Sequence, residues 1–466
     1  MSDVSLEQYP VAIIGAGPVG LAAAVHLLAR GLPVKIYEAG PGAGTNLKDW
    51  GHVHVFTPWR YCVDPVAQAL LEKRGWVMPE PESFPTGAEL ARDYLEPLAA
   101  LPELAGVIET GARVSAIARQ GIDKVSSRDR AAHPFLLTIA TGNGRRIDPA
   151  RAVIDASGTW SSPNPLGASG LPAEGEAEGA ARIAYGIPDV LGRDRAQYAG
   201  KRVLVVGAGH SAANVLLDLA RLAEREPATR VIWVTRGRDL SRVFGGGAGD
   251  QLPARGALGD DLRQLVDSGR IDLVTGFALE RIAEEEGGLV IHGMTAEGAR
   301  RIGPVDRIVA ATGQRPDLVL TRELRLDLDP WLESAKALGP LIDPNLHSCG
   351  SVPPHGHREL PHPEPGFYTI GVKSYGRAPT FLMLTGYEQA RSVAAALAGD
   401  LAAADAVRLV LPETGVCQTT TQPDGAASAS GGCCGGPAPA KVDACCVADA
   451  VAKEEGKAGC GCGVPA

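Results

Sequence analysis

Three observations predict an α/β fold of two nested Rossmann-like dinucleotide-binding domains, each a three-layer ββα/βαβ arrangement, followed by a disordered C-terminal tail. A strand-turn-helix unit with the spacing Gly-x-Gly-x-x-Gly opens the chain, a similar unit recurs at Gly207, and residues 412–466 contain no Leu, Ile or aromatic side chain. The chain has 466 residues, 45% of them hydrophobic, which is enough for two or three packed cores. Its formal charge of -9, with no basic run, speaks against a nucleic-acid partner. With neither a long apolar span nor a signal-like start, no membrane association and a cytoplasmic location are expected.

The first unit begins with the apolar run Val11 to Ile14. Gly15, Ala16, Gly17, Pro18, Val19 and Gly20 follow, then a helix-forming stretch from Leu21 to Arg30. Glycines there allow a sharp turn and close approach of backbone to a pyrophosphate, and the helix start offers free amides and positive partial charge. A second strand, Val34 to Tyr37, ends on Glu38, whose carboxylate suits two ribose hydroxyls and repels a 2′-phosphate. The expected ligand of this unit is FAD. Further on, Arg113 to Ile139 reads as antiparallel strands with a charged loop, and Ala152 to Asp155 as a crossing strand that ends in Ser157-Gly158.

Ser161 to Glu178 is rich in Pro, Gly, Ser and Glu and reads as a linker. Beyond it, the strand Lys201 to Val206 runs into Gly207, Ala208, Gly209, His210 and Ser211, then a helix from Asn214 to Glu224. The strand after that, Val231 to Val234, is followed by Arg236 and Arg238 where the first unit has an acid. Guanidinium groups bind phosphate in bidentate fashion, so this site is expected to take NADPH through its 2′-phosphate. Ile271 to Ile302 alternates like a small antiparallel meander, and Arg307 to Ala311, ending in Thr312-Gly313, reads as the return crossing. Phe367 to Val372 reads as a strand and Thr385 to Ala398 as a closing helix. The expected division is 1–165 and 303–411 for the FAD domain, 166–302 for the inserted NADPH domain, and 412–466 for the tail.

This order of motifs resembles the flavoproteins with two dinucleotide-binding domains, and Gly207-Ala-Gly209-His-Ser211-Ala212 is similar to the NADPH motif of flavin monooxygenases. The stretches Trp50 to Asp64, Asp343 to Arg358 and Phe367 to Arg391, with the tail, resemble flavoproteins encoded beside bacterial arsenic-resistance genes. The resemblance implies an NADPH-dependent monooxygenase that takes molecular oxygen and a trivalent arsenical, and it adds Val114, Gly158, Gly313 and Gly371 to the FAD contacts. Two departures limit it. Ile183 to Leu191 lacks the histidine of the Baeyer-Villiger signature, so a ketone substrate is not implied, and the Gly-Asp pair of many relatives is Gly371-Val372-Lys373 here.

Candidates for catalysis come from two clusters. Trp50, His52, His54, Trp59 and Arg60 follow Glu38, with His54 and Arg60 able to act on a reacting group; His347, Cys349, His355, His357 and His362 lie close together, with His355 and His357 as further candidates or metal contacts. Before residue 412 the only cysteines are Cys62 and Cys349, which rules against a disulfide-exchange mechanism in the core. Cys417, Cys433, Cys434, Cys445, Cys446, Cys460 and Cys462 all lie in the tail, as two vicinal pairs, one Cys-x-Cys and one single residue. Thiolates on a strand with no core of its own suit a soft ion such as trivalent arsenic, antimony or cuprous copper. Two other functions fit the same residues: a metal or metalloid reductase, and a flavoprotein of unrelated substrate fused to a metal-sequestering tail.

Overall fold

The computed structural model describes residues 5–245, 253–285, 287–346, 352–379 and 381–409. The tail with its seven cysteines, together with His347 and Cys349, lies outside the described residues.

The first sheet is built from β1 Val11–Ile14, β2 Val34–Tyr37, β3 Ile108–Glu109, β7 Ala152–Asp155 and β16 Phe367–Thr369, all parallel, in the order β16-β7-β1-β2-β3. All four residues of β1 are buried, because both faces of the sheet are covered. Val11, Ile13 and Ile36 pack with the helix Pro18–Leu28 and the helix Met383–Leu397, while Ala12, Ile14 and Tyr37 pack on the other side. The second layer is the antiparallel sheet of β4 Arg113–Arg119, β5 Phe135–Thr141 and β6 Gly144–Ala150, which contributes Val114, Ile117 and Phe135 to that core. Alternate residues of one strand thus serve two different layers, which explains an uninterrupted apolar run.

The second sheet repeats the plan. It is built from β8 Ile183–Tyr185, β9 Arg202–Val206, β10 Arg230–Val234, β11 Asp272–Val274 and β15 Arg307–Ala310, all parallel, in the order β11-β10-β9-β15-β8. Val203 and Val205 face the helix His210–Arg225; Leu204 and Val206 face the antiparallel sheet of β12 Ala278–Glu285, β13 Gly288–Thr295 and β14 Gly298–Val305.

One expectation changes here. The strand read as a return crossing into the first domain, β15, hydrogen-bonds to β9 and β8, so a boundary at 303 cuts the second sheet. The reason is the internal repeat: β15 stands to β9 as β7 stands to β1, and an apolar strand ending in a glycine turn reads alike in both places. The crossing itself lies just after β15. Residues 163 and 314 form an antiparallel bridge, Thr312 Oγ1 donates to the Asn164 carbonyl at 2.6 Å, and Thr159 Oγ1 donates to Gln314 Oε1 at 2.8 Å.

Candidate active site

Each glycine fingerprint is shaped by the strand that crosses beside it. Gly15 has φ +99°, and a Cβ there would stand 2.8 Å from the Ala156 carbonyl oxygen; one on Gly20 would stand 2.1 Å from the Gly15 oxygen. Gly207 has φ +138°, and its Cβ would meet the Ala311 oxygen at 2.1 Å. By contrast Gly17 and Gly209 have nothing within 4 Å of a would-be Cβ, so the space in front of them is open to a ligand. These two residues are also the N-caps of their helices, and neither helix has a side chain capping its first-turn amides. Such amides are left for an anion, which is what a pyrophosphate requires.

Gly15, Gly17, Pro18, Glu38, Gly158 and Gly371 line a first cavity of about 580 Å³. Glu38 is held rigidly at its wall: Oε2 accepts from the Ala16 amide at 2.8 Å and Oε1 from the Gly40 amide at 2.7 Å. The helix Met383–Leu397 starts at the same wall, with Leu382 and Met383 in the lining. These residues fit FAD. Three expected contacts do not fall in this lining. Gly20 lies against the Gly15 carbonyl, where the lack of a side chain lets the helix pack on the turn. Val114 lies in the core between the first sheet and β4-β5, because its side of the strand is the buried one. Gly313, following β15, lines the second cavity instead.

That second cavity, about 870 Å³, is lined by Gly207, Gly209, His210, Ser211 and Arg236. Arg236 is exposed and donates to the Ala168 carbonyl at 2.8 Å, on the cavity wall, where a 2′-phosphate can compete for it. Arg238 is outside the lining and pairs with exposed Glu297 at 3.1 Å. Sequence reasoning missed Arg315 and Arg377, which also line this cavity, although Arg315 directly follows Thr312-Gly313-Gln314.

The two cavities share Thr159, Trp160, His210, Ser211, Gln314, Val372, Pro379 and Phe381. His210, from the second fingerprint, meets the Phe56 ring of the first domain edge-on at 5.1 Å. Trp50, Val55, Phe56 and Ile187 add apolar surface on the first side. Trp160 and Gln314 were not anticipated, though each stands within two residues of a crossing glycine, Gly158 and Gly313.

The catalytic candidates separate. His54 lines the first cavity and bonds through Nδ1 to the Phe84 carbonyl at 2.9 Å. Arg60 does not: it pairs with Glu82 at the surface and lies over the Tyr61 ring. Buried His355 is saturated. Gln389 Oε1 accepts from the Gly371 amide, so Gln389 Nε2 donates to His355 Nε2 at 2.9 Å, which leaves Nδ1 as the donor to the Pro353 carbonyl at 3.0 Å. Burial lowers its pKa and keeps the ring neutral. His357 bonds to Asp405 at 2.7 Å, and His362 Nδ1 faces Asp327. These histidines do not converge, and among the described residues no group of three or more His, Cys, Asp or Glu could hold a metal.

Residues 9–335 match the pyridine nucleotide-disulphide oxidoreductase family. The chain belongs to that family. Membership makes it a flavoprotein oxidoreductase, with FAD and NADP(H) as the implied cofactors. The chain is 26% identical to a ferredoxin–NADP reductase of Thermus thermophilus, over 75% of this chain and 86% of the relative. It is 30% identical to an indole-3-pyruvate monooxygenase of Oryza sativa, over 45% of this chain and 44% of the relative. Among solved structures it resembles a bacillithiol disulfide reductase from Bacillus cereus (TM-score 0.62, 18% identity, 84% of this chain, 99% of the other). It also resembles a Kutzneria ornithine N-hydroxylase (TM-score 0.55, 16% identity, 84% and 99%). In the matched region of this pyridine nucleotide-disulphide oxidoreductase the only cysteine is Cys62. Burial pushes its thiol up to about 11, far from a reactive thiolate. No helix among the described residues is long and apolar enough to cross a membrane.

Proposed function

We propose that this flavoprotein is an NADPH-dependent monooxygenase that oxidises a trivalent arsenical to its pentavalent form in the cytoplasm. The observation that carries the oxygenase reading is the junction of the two cavities: Trp160, Val372, Pro379 and Phe381 line both of them beside Thr159, His210, Ser211 and Gln314, and no cysteine of the matched region lines either. Bound FAD would supply the redox chemistry, NADPH giving two electrons while one atom of oxygen passes to substrate and the other leaves as water. The chain's own residues do the rest. Arg236 holds the 2′-phosphate, the open space at Gly17 and Gly209 admits the two pyrophosphates, and Trp160 and Phe381 shield from water the place where the two ligands meet.

The arsenical is supported by the tail. Seven thiols in residues 412–466 suit a trivalent arsenical, whereas a pentavalent product binds thiols poorly and would be released. Tethering them to the enzyme raises the local concentration of substrate.

The test is anaerobic reduction by NADPH followed by admission of oxygen, with and without arsenite, while flavin absorbance and arsenic speciation are followed. Arsenite-dependent consumption of NADPH and oxygen with a pentavalent product is expected; arsenite-independent release of hydrogen peroxide sinks the arsenical and leaves the core with another substrate. A second reading, a metalloid or electron-carrier reductase, is favoured by the ferredoxin–NADP reductase relative that covers most of this chain. It requires turnover of an electron acceptor without oxygen.

A further inference from the structure

We propose that Lys373 is a positioning residue that fixes the FAD-cavity lining by tying together two adjacent loops that form part of it; the inference rests on that cavity being the flavin site. One loop is Ser157-Gly158, just after β7, and the other is Gly371-Val372, just after the neighbouring β16, where the 3-10 turn Gly371–Tyr375 begins. The loops nearly touch, since a Cβ on Gly158 would lie 3.8 Å from Val372 Cγ1.

Beneath them Lys373 Nζ lies 2.7 Å from Asp155 Oδ2, with the two side chains 1% and 0% exposed. The same ammonium donates to Ser157 Oγ at 3.0 Å. Ser157 in turn donates to Asp155 Oδ1 twice, through Oγ at 2.7 Å and through its amide at 3.1 Å. The hydroxyl proton is therefore taken by Asp155 and a lone pair by Lys373, so this serine fixes its loop from behind. The second loop is held in the same manner: the Gly371 amide donates to Gln389 Oε1 at 2.8 Å, and Ser374 Oγ donates to the Gly371 carbonyl at 2.7 Å. A buried ion pair is a poor device for packing, because an apolar pair of similar size packs as well without desolvating two charges. It is a good device for spacing, because its length and direction are set by hydrogen bonds.

The full-length chain carrying Lys373→Met with Asp155→Asn tests this. Both charges are removed together, so neither is left buried alone, and the introduced amide keeps an acceptor oxygen for Ser157. The expected result is an apoprotein that melts near the wild-type temperature while the dissociation constant for added FAD rises about tenfold, the value of one hydrogen bond to a charged group. Ser157→Ala, which leaves the ion pair and the Ser157 amide bond whole and cuts only the hydroxyl link to Lys373 and Asp155, is expected to weaken FAD in the same direction. A folded double variant that binds FAD within about threefold of wild type overturns the proposal. If the double variant does not fold, Ser157→Ala decides by the same threshold. A wild-type chain that binds no FAD would refute the flavin site itself, a separate failure visible before any variant is made.

Discussion

At the scale of single residues, charge and hydrogen-bond direction assign roles that residue type alone does not. Arg236 and Arg238 are two positions apart, yet only Arg236 reaches the second cavity, because Arg238 turns to Glu297. Arg236→Ala is therefore expected to cost about 2 kcal/mol of binding, raising KM for NADPH roughly thirtyfold and leaving KM for NADH unchanged. Steady-state kinetics with both nucleotides checks it. His355 supplies a pH dependence. Burial lowers its pKa, so the folded chain binds this proton less readily than the unfolded one. Stability from this group is full above about pH 6.5 and is lost as pH falls through that value toward the folded pKa. Buried His362 is shifted the same way for the same reason. Thermal melts should decline below about pH 6.5, before the carboxylates titrate, and His355→Gln should flatten that decline. Equal slopes for variant and wild type would rule the role out.

At the scale of elements, the antiparallel sheet β4-β5-β6 is tied to the segment entering β16 by one buried carboxylate. Glu364, with a side chain 0% exposed, takes Arg119 at 2.8 Å and Arg130 at 2.8 Å, and Arg119 stacks 3.6 Å from the Phe135 ring. Burial alone would raise the Glu364 pKa, but hydrogen bonds from the two guanidinium groups outweigh it and the carboxyl is shifted down. Glu364→Gln leaves two buried cations facing a neutral amide and should destabilise the first domain by about 3 kcal/mol, read as a lower melting temperature. FAD should still bind once the variant is folded, since this cluster lies outside the cavity lining. The strands themselves were legible in the sequence because each sheet is covered on both faces, which forces short unbroken apolar runs such as Val11–Ile14 and the valine-rich Arg202–Val206. Helix starts were less legible. Both fingerprint helices begin several residues before the expected start, at Pro18 and His210, because a glycine N-cap has no side-chain signature.

For the whole molecule, two copies of one architecture are joined by a paired ribbon of residues 159–164 and 312–315, which brings their cavities into contact along shared residues. Deleting residues 412–466 should leave the rate of flavin reduction by NADPH unchanged while lowering arsenite turnover at low arsenite, and excess arsenite should restore it. Identical arsenite dependence with and without the tail would assign those thiols a separate purpose.

The sequence by itself determined the α/β class and the two glycine turns that open its parallel sheets, because these rest on local rules: a sharp turn needs glycine, and a strand covered on both faces needs an unbroken apolar run. Only the tertiary structure decided which sheet takes β15, that Arg60 and Arg238 turn outward, that His355 is saturated, and that Lys373 pairs with Asp155 behind the first cavity. Those outcomes depend on partners far away in the chain, such as Asp155 for Lys373 and Gln389 for His355, and no local spacing encodes a contact of that range.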